Sequence, residues 1–366
     1  MYNNHFLQKK LDERRQQNAL RQLRLPDALI DFCSNDYLGI VKNDLLQQHE
    51  IFKQNLKTGS GGSRLLAGNY ALAEETEKEI AAFHNAEAAL VFNSGYAANT
   101  GVLSCVPQRG DIILYDYLSH ASIRDGIRLS FAQSFSFAHN DMADLEKKLQ
   151  SNKGKNIFIV TESVFSMDGD ICPLEEIVNL AEKYNAHIII DEAHSIGVIG
   201  EKGEGLVQQM QYADKIFCRI YTYGKAPGCH GAAVVGSKQL CDYLINFARS
   251  FIYSTSIPEH AMAAIAASYK IFPFMKDERN HLNTLISFFQ SSQTRYSKFV
   301  SHTPIQIIMA PGNDEVKQLA ATLQQQGFDV RPILYPTVPK GSERLRIVLH
   351  SFNTMEEVGS LIQLLS

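Results

Sequence analysis

Three things this chain lacks narrow its function before any motif is read. It has no charge excess: 35 Lys and Arg stand against 39 Asp and Glu, a formal charge of −4 over 366 residues. No global field therefore draws it to nucleic acid or to an anionic membrane. It has no long apolar run. The amino terminus, MYNNHFLQKKLDERRQQ, is polar and charged, without the apolar core of a signal peptide, and no later stretch suffices to span a bilayer. Its six cysteines, at 33, 105, 172, 218, 229 and 241, form no CxxC pair or other zinc spacing. Scattered thiols in a long chain are those of a reducing compartment. The expectation is a soluble cytoplasmic protein without a metal site.

A phosphate-cradling loop of the nucleotide-hydrolase type is missing too. The stretch IIIDEAHSIGVIG, Ile188 to Gly200, contains the letters DEAH, which in helicases mark an aspartate serving magnesium and ATP. Such a site needs a glycine, four residues, then Gly-Lys-Ser/Thr. Of the two Gly-Lys pairs, Gly154–Lys155 is followed by Asn156 and Gly224–Lys225 by Ala226, and Leu149 and Arg219 stand where the first glycine is required. GSGGSRLLAG at 59–68 is glycine-rich but holds no lysine. Asp191 has another task.

What is present is a core-building chain, 45% hydrophobic. From about 45 to 235, Ile/Val runs alternate with helical segments, as in DIILYD, NIFIVTES, AHIIIDEAH, KIFCRIYTY and GAAVVGS. Continuous apolar runs between helices predict strands covered on both faces, hence a largely parallel α/β sheet. Polar residues collect just past the carboxyl ends of these strands, where such sheets bind ligands. A polar helix is expected over residues 5–24, then a loop at Pro26. Beyond 240 a long helical stretch at 257–291 leads to PIQIIMA, a helix at 313–326, FDVRPILYP and ERLRIVLHS. These predict an arm over 1–44, a large domain over 45–240 and a smaller α+β domain over 241–366 that begins with a linking helix.

Lys225 sits in a small-residue turn after an apolar strand, in YTYGKAPGCHGAAVVGS. It could snorkel outward as a surface lysine. Desolvated, its amine becomes a nucleophile for an aldehyde. Asp191 precedes it by about one strand–connection–strand unit, and Thr222 offers a hydroxyl three residues before it. An aldehyde-capturing lysine, a buried carboxylate and phosphate-binding hydroxyls are what pyridoxal 5′-phosphate (PLP) requires, the carboxylate keeping the pyridine nitrogen protonated. NSGYAANTG, Asn93 to Gly101, places small residues at a helix start, where free amides bind phosphate; an ordinary helix cap reads the same way. His120 follows DIILYD and could stack on the cofactor ring. His194, three residues after Asp191, could bond the ring's phenolic oxygen. Taken alone, each histidine also reads as a core or capping residue.

Together the ordered motifs LDERRQQNALR, SNDYLG, GSGGSRLLAGN, SGYAAN, SHASIRDGIRLS, TESVFSMDGD, DEAHSIGVIGEKGEG, TYGKAPGCHGAAVVGS, IYSTSIP and PTVPKGSERLRI run through nearly the whole chain. They resemble those of the α-oxoamine synthases, fold-type I PLP-dependent transferases. The resemblance implies a large domain with a mostly parallel sheet and a smaller α+β carboxyl-terminal domain. It implies Lys225 as the covalent cofactor anchor and proton carrier, Asp191 at the pyridine nitrogen, His120 on the ring, and His194 and Ser166 as further cofactor contacts. Gly95, Tyr96 and Thr222 would hold phosphate. Thr255, in IYSTS, would reach the neighbouring subunit's phosphate in a homodimer. Arg21, Thr337 and Arg346 would bind substrate, Arg346 taking the amino-acid carboxylate. Within the group, LDERRQQNALR and FSMDGDICPL favour the members of biotin synthesis, which join L-alanine to a pimeloyl thioester of CoA or acyl-carrier protein. Glycine C-acetyltransferase, 5-aminolevulinate synthase and serine palmitoyltransferase share the cofactor site, and a non-catalytic partner subunit would have lost the lysine. The chain departs from the group's pattern at Tyr96, where phenylalanine is expected, at Pro227, and in HSFNT after RLRIVL.

Overall fold

The computed structural model describes residues 4–23, 25 and 28–366. In chain order its strands are β1 (Ile30–Asp31), β2 (Ala88–Phe92), β3 (Ile112–Asp116), β4 (Gln133–Phe137), β5 (Ile157–Glu162) and β6 (His187–Asp191). They continue with β7 (Cys218–Thr222), β8 (Ala232–Gly236), β9 (Ile305–Met309), β10 (Phe328–Asp329), β11 (Arg331–Ile333) and β12 (Arg344–Val348). The chain divides into two compact units. The larger takes residues 36–166 and 171–279; the smaller takes 1–35, 167–170 and 280–366.

The larger unit is built on a seven-stranded sheet of order β2-β8-β7-β6-β5-β3-β4. Its strands run parallel except β8, which is antiparallel to both neighbours. Side chains of a strand alternate between faces, and the core follows. Ile113, Val160 and Ile189 pack with Val102, Leu103, Ile123 and Ile127 on one face. Leu114, Ile159, Ile188 and Ile190 pack with Leu145, Leu149, Ile177 and Val178 on the other. Burying each such side chain stabilises the fold by about 1.5–3 kcal/mol. Two-sided burial is why these strands read as unbroken apolar runs. At their carboxyl ends stand Asp116, Glu162, Asp191 and Thr222, so parallel β3, β5, β6 and β7 deliver four polar side chains to one edge.

The smaller unit carries an antiparallel sheet of order β11-β12-β9 and the short parallel pair β1-β10. Helices Asn313–Gln325 and Met355–Leu365 bury Leu319, Leu323, Leu361 and Leu365. Thr354 and Glu357 close a capping box at the start of the last helix.

Three expectations need correction. The domain boundary falls elsewhere than 240/241: helices Lys238–Phe247 and Arg249–Ile252 put Leu240, Leu244, Ala248 and Phe251 into the core with Phe92 and Val102, so 241–279 belong to the larger unit. So do 36–44, where Tyr37, Leu38 and Ile40 are buried. The first helix is His5–Gln16, not 5–24, because Asn18 turns left-handed at φ 50°, a conformation asparagine tolerates at helix ends. The loop expected at Pro26 lies outside the described residues. The stretch 257–291 is two helices, Glu259–Ile271 and Lys276–Ser291, separated by a 3-10 turn at Phe272–Phe274, where Pro273 can give no amide to continue the ladder.

Candidate active site

The helix Gly95–Cys105 follows directly on β2. Ser94 caps it, its hydroxyl accepting from the Ala97 amide at 3.1 Å. The amides of Gly95 and Tyr96 precede the first intrahelical bond and point out of the helix start. Thr222 lies against Gly95: a Cβ built there would meet the Thr222 Cγ2 at 2.3 Å. Only glycine lets the helix start and the end of β7 close up, and the cradle of amides and hydroxyl depends on it. Lys225 donates to Thr222 Oγ1 at 3.2 Å, in a turn closed by the Gly228 amide on the Lys225 carbonyl. Lys225, Thr222, Gly95 and Tyr96 thus come together. The Tyr96 hydroxyl turns away to Asp125, so a phosphate role there falls to its backbone.

Asp191 ends β6, 6% exposed. Its Oδ1 accepts from the Ala193 amide at 2.8 Å and its Oδ2 from Asn99 Nδ2 at 2.7 Å. Both oxygens of the buried carboxylate therefore have a donor. Three residues on, buried His194 shares a 2.6 Å hydrogen bond between its Nδ1 and the Tyr37 hydroxyl, which fixes the ring. His120 caps the helix Ala121–Leu129. The residue is exposed, as a stacking partner requires. Partial loss of water around the ring lowers its pKa, helped by Lys225 and opposed by Asp191 and Asp125. Ser166 is half-buried four residues past β5. Thr255 is exposed, its carbonyl accepting from Asn93 Nδ2 at 2.8 Å beside the phosphate cradle.

In the smaller unit Arg21 and Thr337, far apart in sequence, meet: Arg21 Nη2 donates to Thr337 Oγ1 at 3.0 Å. Arg346, in the middle strand of its sheet and 8% exposed, donates to Asn35 Oδ1 at 2.9 Å.

Sequence reasoning missed four residues. Tyr37 orients His194, and Asn99 and Ser122 join Asp191 to His120. Glu162 ends β5 beside Asp191 in register and accepts the His120 amide at 2.6 Å. Its burial, with the Asp191 charge adding, pushes its pKa up to about 8. Asn99 carried a signal, since four residues is about one helical turn from Gly95. Glu162 closes the strand in NIFIVTES. The others act through contacts between distant segments.

The residues fit PLP: an amine, a buried carboxylate with a donor on each oxygen, an exposed histidine, and a helix start whose amides and a neighbouring hydroxyl are brought together where a Cβ would not fit. Among known proteins, residues 27–363 match the model of the family described as aminotransferase class I and II. The 8-amino-7-oxononanoate synthase of Emericella nidulans is 42% identical over 93% of this chain and 89% of its own. The crystal structure of 8-amino-7-oxononanoate synthase from Francisella tularensis, 30% identical, superposes with a TM-score of 0.79 over 93% of this chain and 97% of that one. Serine palmitoyltransferase of Sphingomonas wittichii, 26% identical, gives 0.89 over 100% and 97%. The chain belongs to the aminotransferase class I and II family, in the α-oxoamine synthase group whose motifs its sequence carries.

Proposed function

We propose that this chain is a PLP-dependent acyltransferase that condenses L-alanine with a pimeloyl thioester, releasing 8-amino-7-oxononanoate, CO2 and the free thiol, a step of biotin synthesis. The observation that carries this reading is the 42% identity, over most of both chains, to a synthase of that name. The superposition with serine palmitoyltransferase is closer, but at lower identity it speaks for the shared architecture more than for the substrate.

Bound PLP withdraws electrons through its protonated ring and so stabilises negative charge at the amino-acid α-carbon. This chain's residues do the rest. The Lys225 amine would anchor the cofactor aldehyde and carry the α-proton between alanine and product. Asp191, fixed by Asn99 and Ala193, would hold the proton on the ring nitrogen. His120 would stack on the ring, His194 would bond the phenolic oxygen, and Ser166 would add a contact. The Gly95 and Tyr96 amides and the Thr222 hydroxyl would bind the phosphate dianion at the positive end of a helix. Arg346, pre-set by Asn35, pairs with the alanine carboxylate, a bidentate match. Arg21 and Thr337 contact substrate in the smaller unit. The thiol carrier is CoA or acyl-carrier protein.

The same reading makes the protein a homodimer in which Thr255 reaches the partner's phosphate. Leu66, Phe131 and Tyr253 are 85%, 75% and 73% exposed, apolar surface that a second subunit would cover. Six free cysteines suit the cytoplasm, and no helix among the described residues is long and apolar enough to cross a membrane.

The test is a screen of the PLP-loaded protein with L-alanine, glycine and L-serine against pimeloyl, acetyl, succinyl and palmitoyl thioesters. The amino ketone and CO2 are expected from alanine with the pimeloyl ester and are lost in Lys225→Ala. Turnover confined to glycine or serine would move the chain to another member of the group, and absence of any bound-cofactor absorbance would make it a partner subunit.

A further inference from the structure

One buried carboxamide touches both sides of the ring site without being part of it. Asn99 is 2% exposed in the helix Gly95–Cys105. Its Nδ2 donates to Asp191 Oδ2 at 2.7 Å and to Ser122 Oγ at 3.0 Å. The reverse amide orientation would set Oδ1 against the Asp191 oxygen, acceptor against acceptor, so chemistry fixes which end faces Asp191. Ser122 Oγ, accepting from Asn99, has one hydrogen to give, and His120 Nδ1 lies 2.8 Å away. The Ser122 amide also points at His120 Nδ1, at 3.2 Å. Two donors converge on that nitrogen. It therefore carries no proton, and the ring's proton sits on Nε2.

The chain of bonds runs in one direction, carboxamide to hydroxyl to imidazole. An imidazolium would turn Nδ1 into a donor facing the Ser122 amide and break it. We infer that Asn99 is a positioning residue that sets both faces of the cofactor grip at once, holding Asp191 as a hydrogen-bond acceptor and, through Ser122, holding His120 as the neutral Nε2-protonated tautomer. The two assignments belong together. A ring that must stay cationic needs an anion at its nitrogen and gains nothing from a second cation stacked on its face. The charged groups facing His120 are Asp191, Asp125 and Lys225, with the Glu162 carboxyl against its backbone amide. Asp191 and Asp125 favour the imidazolium, and the bond from Ser122 opposes them.

The part concerning the ring rests on the PLP reading; the part concerning His120 does not. The experiment compares wild type, Asn99→Ala and Ser122→Ala. Nitrogen-15 NMR of the histidines in cofactor-free protein reads the His120 tautomer and its titration. PLP titration followed by visible absorbance reads affinity. Wild type should show the Nε2–H tautomer. Ser122→Ala, which leaves only the backbone amide on Nδ1, should weaken that preference while keeping PLP affinity within a few-fold, because Asn99 still serves Asp191. Asn99→Ala, which frees the Ser122 hydroxyl to turn, should weaken the preference and also weaken PLP by about 10- to 100-fold, the loss of one hydrogen bond to a carboxylate. If Asn99 merely fills the core, Asn99→Ala will melt earlier with tautomer and affinity unchanged, which overturns the inference. Should Asn99→Ala not fold, an unchanged tautomer in Ser122→Ala overturns it equally. Wild type that takes no PLP would refute the proposed function, while the cofactor-free spectra would still decide how Asn99 acts on His120.

Discussion

Replacing Gly95 with alanine tests the phosphate cradle at a single methyl group. The new Cβ would lie 2.3 Å from Thr222 Cγ2 and 3.3 Å from Thr222 Cβ. Ordinary contact begins near 3.4 Å, so helix start and strand end must part by more than ~1 Å. The threonine cannot simply rotate aside, because it is β-branched, 8% exposed and bonded to Lys225. Overpacking of this kind costs about 1–3 kcal/mol, offset by up to ~1 kcal/mol from replacing a flexible glycine in a helix. Stability should thus fall by at most ~3 kcal/mol, and the folded protein remains available for assay. Affinity should suffer more. Amides and hydroxyl that converge on one phosphate lose alignment over such a gap, and a misplacement of ~1 Å can cost ~10²-fold.

The informative control is Thr222→Ser, which deletes Cγ2 and keeps the hydroxyl. In the double variant the nearest Thr222 atom left is the Cβ, at a distance that a few tenths of an ångström relieve. A thermodynamic cycle should therefore give a favourable coupling of about 1–2 kcal/mol in both urea denaturation and PLP titration. Thr222→Ser alone should lose under ~1 kcal/mol, one methyl group of burial. Wild-type PLP affinity in Gly95→Ala, or no recovery in the double variant, would refute the account of why glycine stands at 95.

Two further tests address the carboxylates. Glu162, raised from 4.5 to about 8 by burial, keeps in the fold a proton that the unfolded chain releases near 4.5. Its contribution to stability is therefore full below about pH 4.5 and lost as pH rises toward 8. Glu162→Gln stays neutral throughout, so its stability minus that of wild type should climb across this window by up to ~1.4 kcal/mol per pH unit; a flat difference in urea melts of the cofactor-free protein would show that Glu162 is ionised in the fold. Asp191→Asn should still bind PLP through Lys225 and the phosphate cradle yet lose ~10²-fold or more in kcat, because an amide does not hold charge on the ring nitrogen. A kcat within tenfold of wild type would remove Asp191 from its role.

How far the sequence could be read depended on whether a signal was local. Except for the edge strand β4, whose mostly exposed QSFSF carries no such pattern, the sheet strands were legible because burial on both faces leaves unbroken apolar runs, and Lys225, Asp191 and Thr222 because each lies at or just past the end of one. The break at Phe272–Phe274 was readable in principle from Pro273, but the apolar spacing on either side masks it. The unit boundary was not legible: Leu244 and Phe251 belong to the larger unit through contacts with Phe92 and Val102, which no local pattern encodes. The same holds for Asn99, whose partner Asp191 lies 92 residues along the chain.

The parallel sheet explains why these hidden residues were needed. Register places the last residues of β5 and β6, Glu162 and Asp191, side by side at the ligand-binding edge. Two buried carboxylates at that separation cannot both be ionised cheaply. The structure resolves the conflict by unequal hydrogen bonding at the reacting edge. Asp191 receives a donor on each oxygen, from Asn99 and Ala193. Glu162 accepts the His120 amide and is the carboxyl whose pKa rises. Stripping the Asn99 donor from Asp191 should narrow that difference, so in Asn99→Ala the pH window over which Glu162 destabilises the fold should move to lower pH. A window unchanged from wild type would mean that Asn99 does not decide which of the two carboxyls holds the proton.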